Sequence, residues 1–161
     1  MKWSKPREGW LKVNINAALF SQAGKYEVGC IVRDHEGGFR GAFHRSCYGI
    51  PSVKEAKALG IKEALSWLKA QGLDRFILES DVKVVVESIR SSATPFSFGL
   101  VIADCQDLLS SFHEVKLCFV YRTANAVAHL LARSSVNTSG LVDWLDEPSP
   151  SIVALLVSDI V

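Results

Sequence analysis

The first half of the chain alternates hydrophobic and polar residues with the period of β-strands. Three such runs, Trp10–Ala18, Tyr26–Arg33 and Phe39–Tyr48, follow one another across short turns that contain glycine. Within the first run the aliphatic side chains point to one face and Asn14 and Asn16 to the other. Three successive strands joined by short turns predict an antiparallel meander.

From Ser52 onward the hydrophobic spacing changes to that of helices separated by single strands. Ser52 and Glu55 form an S-x-x-E capping box at the start of a helix that extends to about Gln71, where Gly72 is placed to end it. The later patterns predict a strand, two helices separated by a linker, a strand and a helix. These elements are Arg75–Ser80, Val82–Ile89, Gly99–Phe112, Val115–Tyr121 and Asn125–Ser135, with the linker at Thr94–Ser97. Together with the meander they predict a mixed sheet of five strands with helices packed on it.

The two ends of the chain differ from this central pattern. Residues 1–9 form a short polar segment. After Asn137 the sequence continues with a polar turn and then the apolar stretch Ile152–Val161. We therefore expect an N-terminal extension at residues 1–9, a domain at residues 10–137 and a C-terminal extension at residues 138–161 that docks on the domain. If the apolar stretch were exposed instead, it could seed self-association.

Composition and charge narrow the class of protein. The 161 residues suffice for one domain, and a net charge of +1 means that any nucleic-acid site must be a local patch. The four cysteines form no CxxC pair, so we expect free and mostly buried thiols in a reducing compartment, and no zinc site. With no apolar run of transmembrane length, the sequence predicts an intracellular protein, nuclear or cytoplasmic, without a membrane partner.

Four segments carry a more specific signal because of their order and spacing. They are Gly9–Ala18, Gly29–Gly37, Glu79–Asp81 and Arg122–Ala132. Together they resemble the plant ribonuclease H-like domain of the reverse-transcriptase-like family, which is related to the ribonuclease H of plant non-LTR retrotransposons. The resemblance implies a ribonuclease H-like α/β fold, a five-stranded mixed sheet with helices on both faces. It also implies an ancestral activity, the metal-dependent cleavage of RNA in RNA–DNA hybrids.

The same resemblance identifies four candidate catalytic positions. The family usually has Asp, Glu, Asp and Asp or His there, whereas this chain has Asn16, Glu55, Asp81 and His129. Two Mg²⁺ ions flanking a scissile phosphate need negatively charged oxygen ligands. An amide offers an oxygen without charge, and an imidazole offers a nitrogen. We therefore expect Glu55 and Asp81 as the metal ligands, with weak binding of Mg²⁺ or Mn²⁺. If the assignment is right, Asn16, Glu55 and Asp81 should lie within about 8 Å of one another.

Each of these residues also has a purely structural interpretation. Glu55 could act only in the capping box, Asp81 only as a helix cap or turn residue, and Asn16 only on a solvated strand face. His129 lies in an apolar helix, where a histidine is more often a core or surface residue than a ligand. Glu79 shares a strand face with Asp81 and could supply a substitute oxygen, although a solvated position is more typical.

Binding of nucleic acid depends on basic side chains near the site, because they neutralise phosphates. The candidate nucleic-acid contacts are Arg33, Lys54, Arg122 and Asn125, and further basic residues of a groove would be Arg40, Arg45, Lys57 and Arg133. Ordinary exposed charge is the alternative for these residues. Since no Lys or Arg occurs between Arg90 and Lys116, we expect weak binding of an RNA–DNA hybrid or another nucleic acid, with a strong dependence on salt.

Three functional hypotheses follow from the sequence. The first, which the lost carboxylates favour, is an impaired or inactive domain that retains nucleic-acid binding or has become a protein-interaction module. The second is a weak or manganese-tolerant hybrid ribonuclease, and the third is an active enzyme in which Asn16 was engineered from Asp. Because Asn16 occupies the position that bridges both ions in the family, we expect Asn16→Asp to restore more activity than His129→Asp.

Overall fold

The computed structural model describes residues 2–91, 99–134 and 140–159, and its centre is a six-stranded mixed sheet. The strands are β1 Leu11–Phe20, β2 Lys25–Arg33, β3 Phe39–Tyr48, β4 Arg75–Ser80, β5 Glu114–Phe119 and β6 Gly140–Trp144. Their order across the sheet is β5-β4-β1-β2-β3-β6. The first three strands form the predicted antiparallel meander, while β4 pairs in parallel with β1 and with β5.

Helices cover both faces of this sheet. They are α1 Val53–Ala70, α2 Lys83–Arg90, α3 Gly99–Ser110, α4 Ala126–Ala132 and α5 Val153–Asp159, and a short 3-10 turn, Arg122–Ala124, leads into α4. The first three helices enclose the larger core with the aliphatic face of β1. The last two helices pack on the opposite face, where a smaller core surrounds Ile31 and Leu131. The predicted mixed sheet with helices on both faces is therefore confirmed.

The differences from the predicted elements are few. Strand β6 was not predicted; it pairs with Ala42–Ser46 of β3 and raises the number of strands from five to six. Helix α4 ends at Ala132, three residues before the predicted end at Ser135, which lies outside the described residues. The predicted linker Thr94–Ser97 also lies outside them.

Local sequence accounts for the ends of α1. The Ser52 hydroxyl accepts a hydrogen bond from the backbone N–H of Glu55 at 3.1 Å, as the capping box predicted. At the other end Gly72 adopts a positive φ of 78°, a conformation that glycine takes without strain.

A second glycine permits the close approach of α4 to the sheet. A Cβ atom on Gly29 would lie 2.5 Å from the backbone nitrogen of Ala132 and 2.8 Å from the carbonyl oxygen of Ala128. No side chain can occupy that space while α4 stays in place. Gly29 of β2 pairs with Asn16 of β1, so the glycine determines how near α4 comes to the polar face of β1.

Arg33 at the end of β2 ties both ends of the described chain to the sheet. The residue is fully buried, and its guanidinium lies 3.9 Å from the ring centroid of Trp3. Its Nη1 donates to the carboxylate of Asp159 in α5 at 2.8 Å. Trp3 in turn donates its indole N–H to the amide oxygen of Asn14 at 3.0 Å. Residues from near both ends of the chain therefore complete the polar face of the central strands.

A buried carboxylate, Glu27, links β2 to β3. It accepts hydrogen bonds from Ser46 at 2.8 Å and from His44 at 3.0 Å, and it forms a salt bridge with Lys25 at 2.9 Å. Burial alone would raise the pKa of Glu27, but the hydrogen bonds from Lys25, Ser46 and His44 outweigh burial and lower it. The charged form of Glu27 therefore stabilises the pairing of these two strands.

The four cysteines are free thiols in the structure, as predicted. Cys30 and Cys105 are buried, whereas Cys47 and Cys118 are half-buried. None of the helices in the described residues is both long and apolar enough to cross a membrane.

Candidate functional site

Three of the four predicted catalytic positions meet where β1 and β4 lie side by side. Ile15 of β1 pairs in parallel with Ser80 of β4, so the residues that follow, Asn16 and Asp81, are neighbours across the two strands. Helix α4 crosses the same face, and His129 accepts a hydrogen bond at Nδ1 from Nδ2 of Asn16 at 3.3 Å. Strand register and the approach of α4 thus bring Asn16, Asp81 and His129 together.

The residue of α1 that enters this cluster is Lys57. Its ammonium nitrogen lies 2.7 Å from Oδ1 of Asn16 and donates a hydrogen bond to it. Lys57 belongs to the inward-facing stripe of α1, at helical spacing from the buried residues Ile61, Ala64 and Leu68. A cation therefore lies against the residue that was expected to bridge two metal ions.

Glu55, the predicted second position, faces another way. It precedes Lys57 by two residues, which is about 200° around a helix, so the two side chains leave α1 on nearly opposite sides. The hydrogen bond that the structure gives Glu55 is the one from its backbone N–H to Ser52 in the capping box. Lys57 is the residue of α1 that contacts Asn16, and the assignment of Glu55 to the site stays a prediction.

The contacts of Asn16 also define the protonation state of His129. Lys57 can only donate, so it fixes the amide oxygen of Asn16 on its own side and leaves the amide nitrogen to donate to His129. Nδ1 of His129 must then accept, which requires a neutral ring with its proton on Nε2. Burial lowers the pKa of His129, and Arg122, Arg133 and Lys57 lower it further, while Asp81 raises it.

Asp81 is the carboxylate that remains in the cluster. Its side chain is 6% exposed, and its Oδ2 forms a long salt bridge of 3.7 Å with Nε of Arg122, whose side chain is 63% exposed. The other oxygen, Oδ1, is buried without a hydrogen-bond partner within the described part of the chain. The polar atoms of Asp81 are thus only partly satisfied.

The side chains around Asn16 do not fit a pair of Mg²⁺ ions. Mg²⁺ prefers charged oxygen ligands in octahedral geometry, and two ions need several carboxylates between them. Here the oxygen of Asn16 accepts from Lys57, His129 offers nitrogen, and Asp81 is the remaining carboxylate. Across residues 2–91, 99–134 and 140–159, no three His, Cys, Asp or Glu side chains are grouped so that they could hold a metal ion.

The structure corrects two of the four predicted nucleic-acid contacts, because both are fully buried. Arg33 lies between Trp3 and Asp159 and cannot reach a ligand. Asn125 donates its amide N–H to the carbonyl oxygen of Ile15 at 2.9 Å, so it fastens the start of α4 to β1. Both residues therefore stabilise the fold.

Glu79 is buried rather than solvated, and it belongs to the same structural network. It accepts a hydrogen bond from Asn14 at 2.9 Å and lies 3.4 Å from the ammonium of Lys12. Asn14 also accepts a hydrogen bond from Trp3, so Glu79 is part of the network that joins Asn14 to the N-terminal residues. Its oxygens are used there, and Glu79 supplies none to the Asn16 cluster.

The other two predicted contacts are accessible. Arg122 is exposed beside Asp81, and Lys54 is exposed one turn before Lys57 on the same side of α1. Lys57 and Arg133 were predicted only as basic residues of a groove, and not as residues of the site. Arg133 directly follows α4 and is exposed, and its charge acts on both Lys57 and His129.

Burial makes Lys57 an unusual cation. Desolvation lowers the pKa of Lys57, and the like charges of Arg122 and Arg133 lower it further, while Asp81 raises it. The partner oxygen on Asn16 is neutral, and no salt bridge joins Lys57 to a carboxylate in the part of the chain that the structure describes. The cluster therefore contains three cationic side chains around one carboxylate.

Comparison with known sequences points to one family. Residues 14–135 match the sequence profile of the family described as reverse transcriptase-like. A protein of Arabidopsis thaliana named "Putative ribonuclease H protein" is 30% identical over 140 residues, which cover 85% of this chain. The chain spans 22% of the length of that relative.

Comparison with solved structures supports the ribonuclease H-like fold. RNase H1 from the archaeon Halobacterium salinarum is 20% identical, with a TM-score of 0.69 over 77% of this chain and 95% of that protein. LC11-RNase H1, solved in complex with an RNA/DNA hybrid, is 13% identical, with a TM-score of 0.68 over 79% of this chain and 96% of that protein. These likenesses confirm the predicted fold.

Proposed function

The chain belongs to the reverse transcriptase-like family, and from this membership we propose that it is a ribonuclease H-like domain that binds nucleic acid but does not cleave RNA–DNA hybrids. The observation that carries the proposal is the contact between Lys57 and Asn16, 2.7 Å from nitrogen to oxygen. In place of four carboxylates the cluster has an amide, an ammonium, one carboxylate and a neutral imidazole. The charges of Lys57 and Asp81 cancel, and the other two residues add none.

The electrostatic penalty for a metal ion here is large. A unit charge about 4 Å from another contributes about 4 kcal/mol at an effective dielectric constant of about 20, so an ammonium opposes a divalent ion by about 8 kcal/mol. That is roughly six powers of ten in affinity. Loss of carboxylates at the positions of Asn16 and His129 removes further attraction. The charges around Asn16 therefore favour an inactive domain over a weak or manganese-tolerant enzyme.

The nucleic-acid part of the proposal follows from the family and from the remaining basic residues. LC11-RNase H1, which shares the fold, was solved with an RNA/DNA hybrid. Lys54, Arg122 and Arg133 are exposed around the cluster and can contact phosphates. The four free cysteines suit a reducing compartment, so we propose an intracellular location.

A cleavage assay on a labelled RNA–DNA hybrid tests the catalytic part. The unmodified chain should show no cleavage above background with Mg²⁺ or Mn²⁺. Asn16→Asp alone should also stay inactive, because Lys57 would pair with the new carboxylate. Asn16→Asp combined with Lys57→Glu and His129→Asp should recover Mg²⁺-dependent cleavage, since the three changes restore four carboxylates.

Glu55→Gln in the restored triple variant is the matched control for the choice between Glu55 and Lys57. It should leave the recovered activity unchanged, because Glu55 faces away from Asn16. Clear Mg²⁺-dependent cleavage by the unmodified chain would refute the inactive proposal. Absence of hybrid binding at low salt would refute the nucleic-acid proposal and favour a protein-interaction module.

A further inference from the structure

We infer that the cluster of Lys57, Arg122 and Arg133 is a phosphate-binding site that holds a nucleic-acid phosphodiester directly, without a divalent metal ion. The inference rests on the proposed function and assigns a binding role to the altered positions. In a two-metal nuclease the cations that face the phosphate are the ions. Here the cation beside Asn16 is part of the chain.

These three cations come from three different segments of the fold that meet near Asn16, Asp81 and His129. Lys57 comes from α1 and is fixed by Asn16 of β1 at 2.7 Å. Arg122 comes from the turn before α4 and lies 3.7 Å from Asp81 at the end of β4. Arg133 follows α4, with its backbone N–H donating to the carbonyl oxygen of His129 at 3.3 Å. Lys57 is therefore held in place before a ligand arrives, whereas Arg122 and Arg133 are exposed and close enough for their charges to act on Lys57 and His129.

The cluster lacks the negative charge that would balance it. Asp81 is the carboxylate of the cluster, and its salt bridge to Arg122 is long. Lys57 is held by the neutral oxygen of Asn16 and is half-buried, so water compensates its charge poorly. An anion that reaches Lys57 beside the two exposed arginines would balance the positive charge of the ammonium group. Guanidinium and ammonium groups together bind phosphate through charge-assisted hydrogen bonds.

Asn16 and His129 have a positioning role in this site. Asn16 holds the ammonium of Lys57 and donates its amide N–H to His129. His129 stays neutral while it accepts that hydrogen bond, so its Nε2–H is left as a donor. Neither residue is negatively charged, so neither repels a phosphate. Carboxylates at these two positions would repel it when no metal ion is bound.

The test measures binding of a labelled RNA–DNA hybrid to the full chain by fluorescence anisotropy, with excess EDTA or with Mg²⁺ at matched ionic strength. The affinity in EDTA should equal the affinity in Mg²⁺. Lys57→Gln should weaken binding about tenfold and lower the slope of log affinity against log salt by about 1. Lys57→Arg should retain most of the affinity, because the charge is kept.

Lys62→Gln is the matched control, since it removes the same charge from a different face of α1, about 140° around the helix from Lys57, where Lys62 pairs with Asp104 at 3.0 Å. It should leave affinity and salt slope unchanged. Thermal unfolding of each variant checks that the fold is intact. If EDTA abolishes binding, or if Lys57→Gln and Lys62→Gln bind equally well, the inference is wrong while nucleic-acid binding stands. If the unmodified chain binds no hybrid at low salt, the inference and the proposed function fail together.

Discussion

Asp159→Asn should destabilise the protein strongly, although Asp159 lies in the short helix α5 near the end of the described chain. The substitution removes the negative charge that Arg33 contacts at 2.8 Å. Arg33 is fully buried, and its Nε already has no hydrogen-bond partner in the described structure. Burial lowers the pKa of Arg33, and the carboxylate of Asp159 raises it, which means that the carboxylate favours the charged guanidinium.

The expected loss in free energy of unfolding depends on how deeply Arg33 and Asp159 are buried. Breaking a buried ion pair by removing one partner costs about 3–5 kcal/mol. The side chain of Asp159 is 11% exposed, and asparagine keeps an oxygen that can accept from Arg33, so we expect about 2–3 kcal/mol here. For a domain of this size the midpoint of thermal unfolding should fall by about 5–10 °C.

Urea unfolding followed by tryptophan fluorescence measures this change. Asp146→Asn, at an exposed position, is the control and should change the free energy of unfolding by less than about 0.5 kcal/mol. Arg33→Met combined with Asp159→Leu should be more stable than Asp159→Asn, because no charge is left buried without a partner. If Asp159→Asn unfolds like the control, the Trp3 ring at 3.9 Å and the Asn14 oxygen at 3.5 Å from Arg33 compensate the guanidinium without Asp159, and the reasoning is wrong.

Three further outcomes test other parts of the structure. Gly29→Ala should lower the free energy of unfolding by about 2–4 kcal/mol in urea titrations, because the added Cβ would lie 2.5 Å from the backbone of Ala132. Burial raises the pKa of the Cys105 thiol to about 12 and also raises the pKa of Cys118, but Cys118 is only half-buried, so alkylation at about pH 8 followed by mass spectrometry should modify Cys118 before Cys105. Glu27 has a lowered pKa in the folded state, so its stabilisation is complete above about pH 4.5 and is lost as pH falls through the lower folded value. Glu27→Gln should therefore flatten the dependence of the urea midpoint on pH in that acidic range.

Much of the sheet could be predicted because its strands have two distinct faces. Alternation along β1, β2 and β3 gave their limits to within two residues, and the capping box gave the start of α1. Strand β6 could not be found in this way. It has five residues at the edge of the sheet, where burial is partial, and its order of hydrophobic and polar side chains is too short to establish a period.

The site was only partly predictable, and α1 shows why. Glu55 was predicted because the family has a carboxylate there, yet the helical periodicity already favoured Lys57 as the inward-facing residue. Lys57 falls on the stripe of Ile61, Ala64 and Leu68, whereas Glu55 does not. A charged residue at an inward position of an amphipathic helix indicates a specific partner, and the structure shows that this partner is Asn16.

Arg33 and Asn125 illustrate a different limit. Both are polar residues beside motifs of the site, and both were expected to contact nucleic acid. In β2, however, Arg33 shares its face with Gly29 and Ile31, which α4 and its neighbours cover. Sequence alone does not show that α5 and Trp3 close over this face, because Asp159 is 126 positions from Arg33 and Trp3 lies outside the predicted elements.

The pairing of β6 with β3 has a consequence for the behaviour of the protein in solution. Strand β3 has ten residues, and without β6 the backbone N–H and C=O groups of its outer side would be open to other chains. Such a long open edge favours intermolecular strand addition and aggregation, whereas β6 leaves a final edge of only five residues. Loss of the β6 pairing alone would therefore leave the residues of the Asn16 cluster in place and yet favour self-association, so this edge strand protects the solubility of a sheet to whose site it contributes no residue.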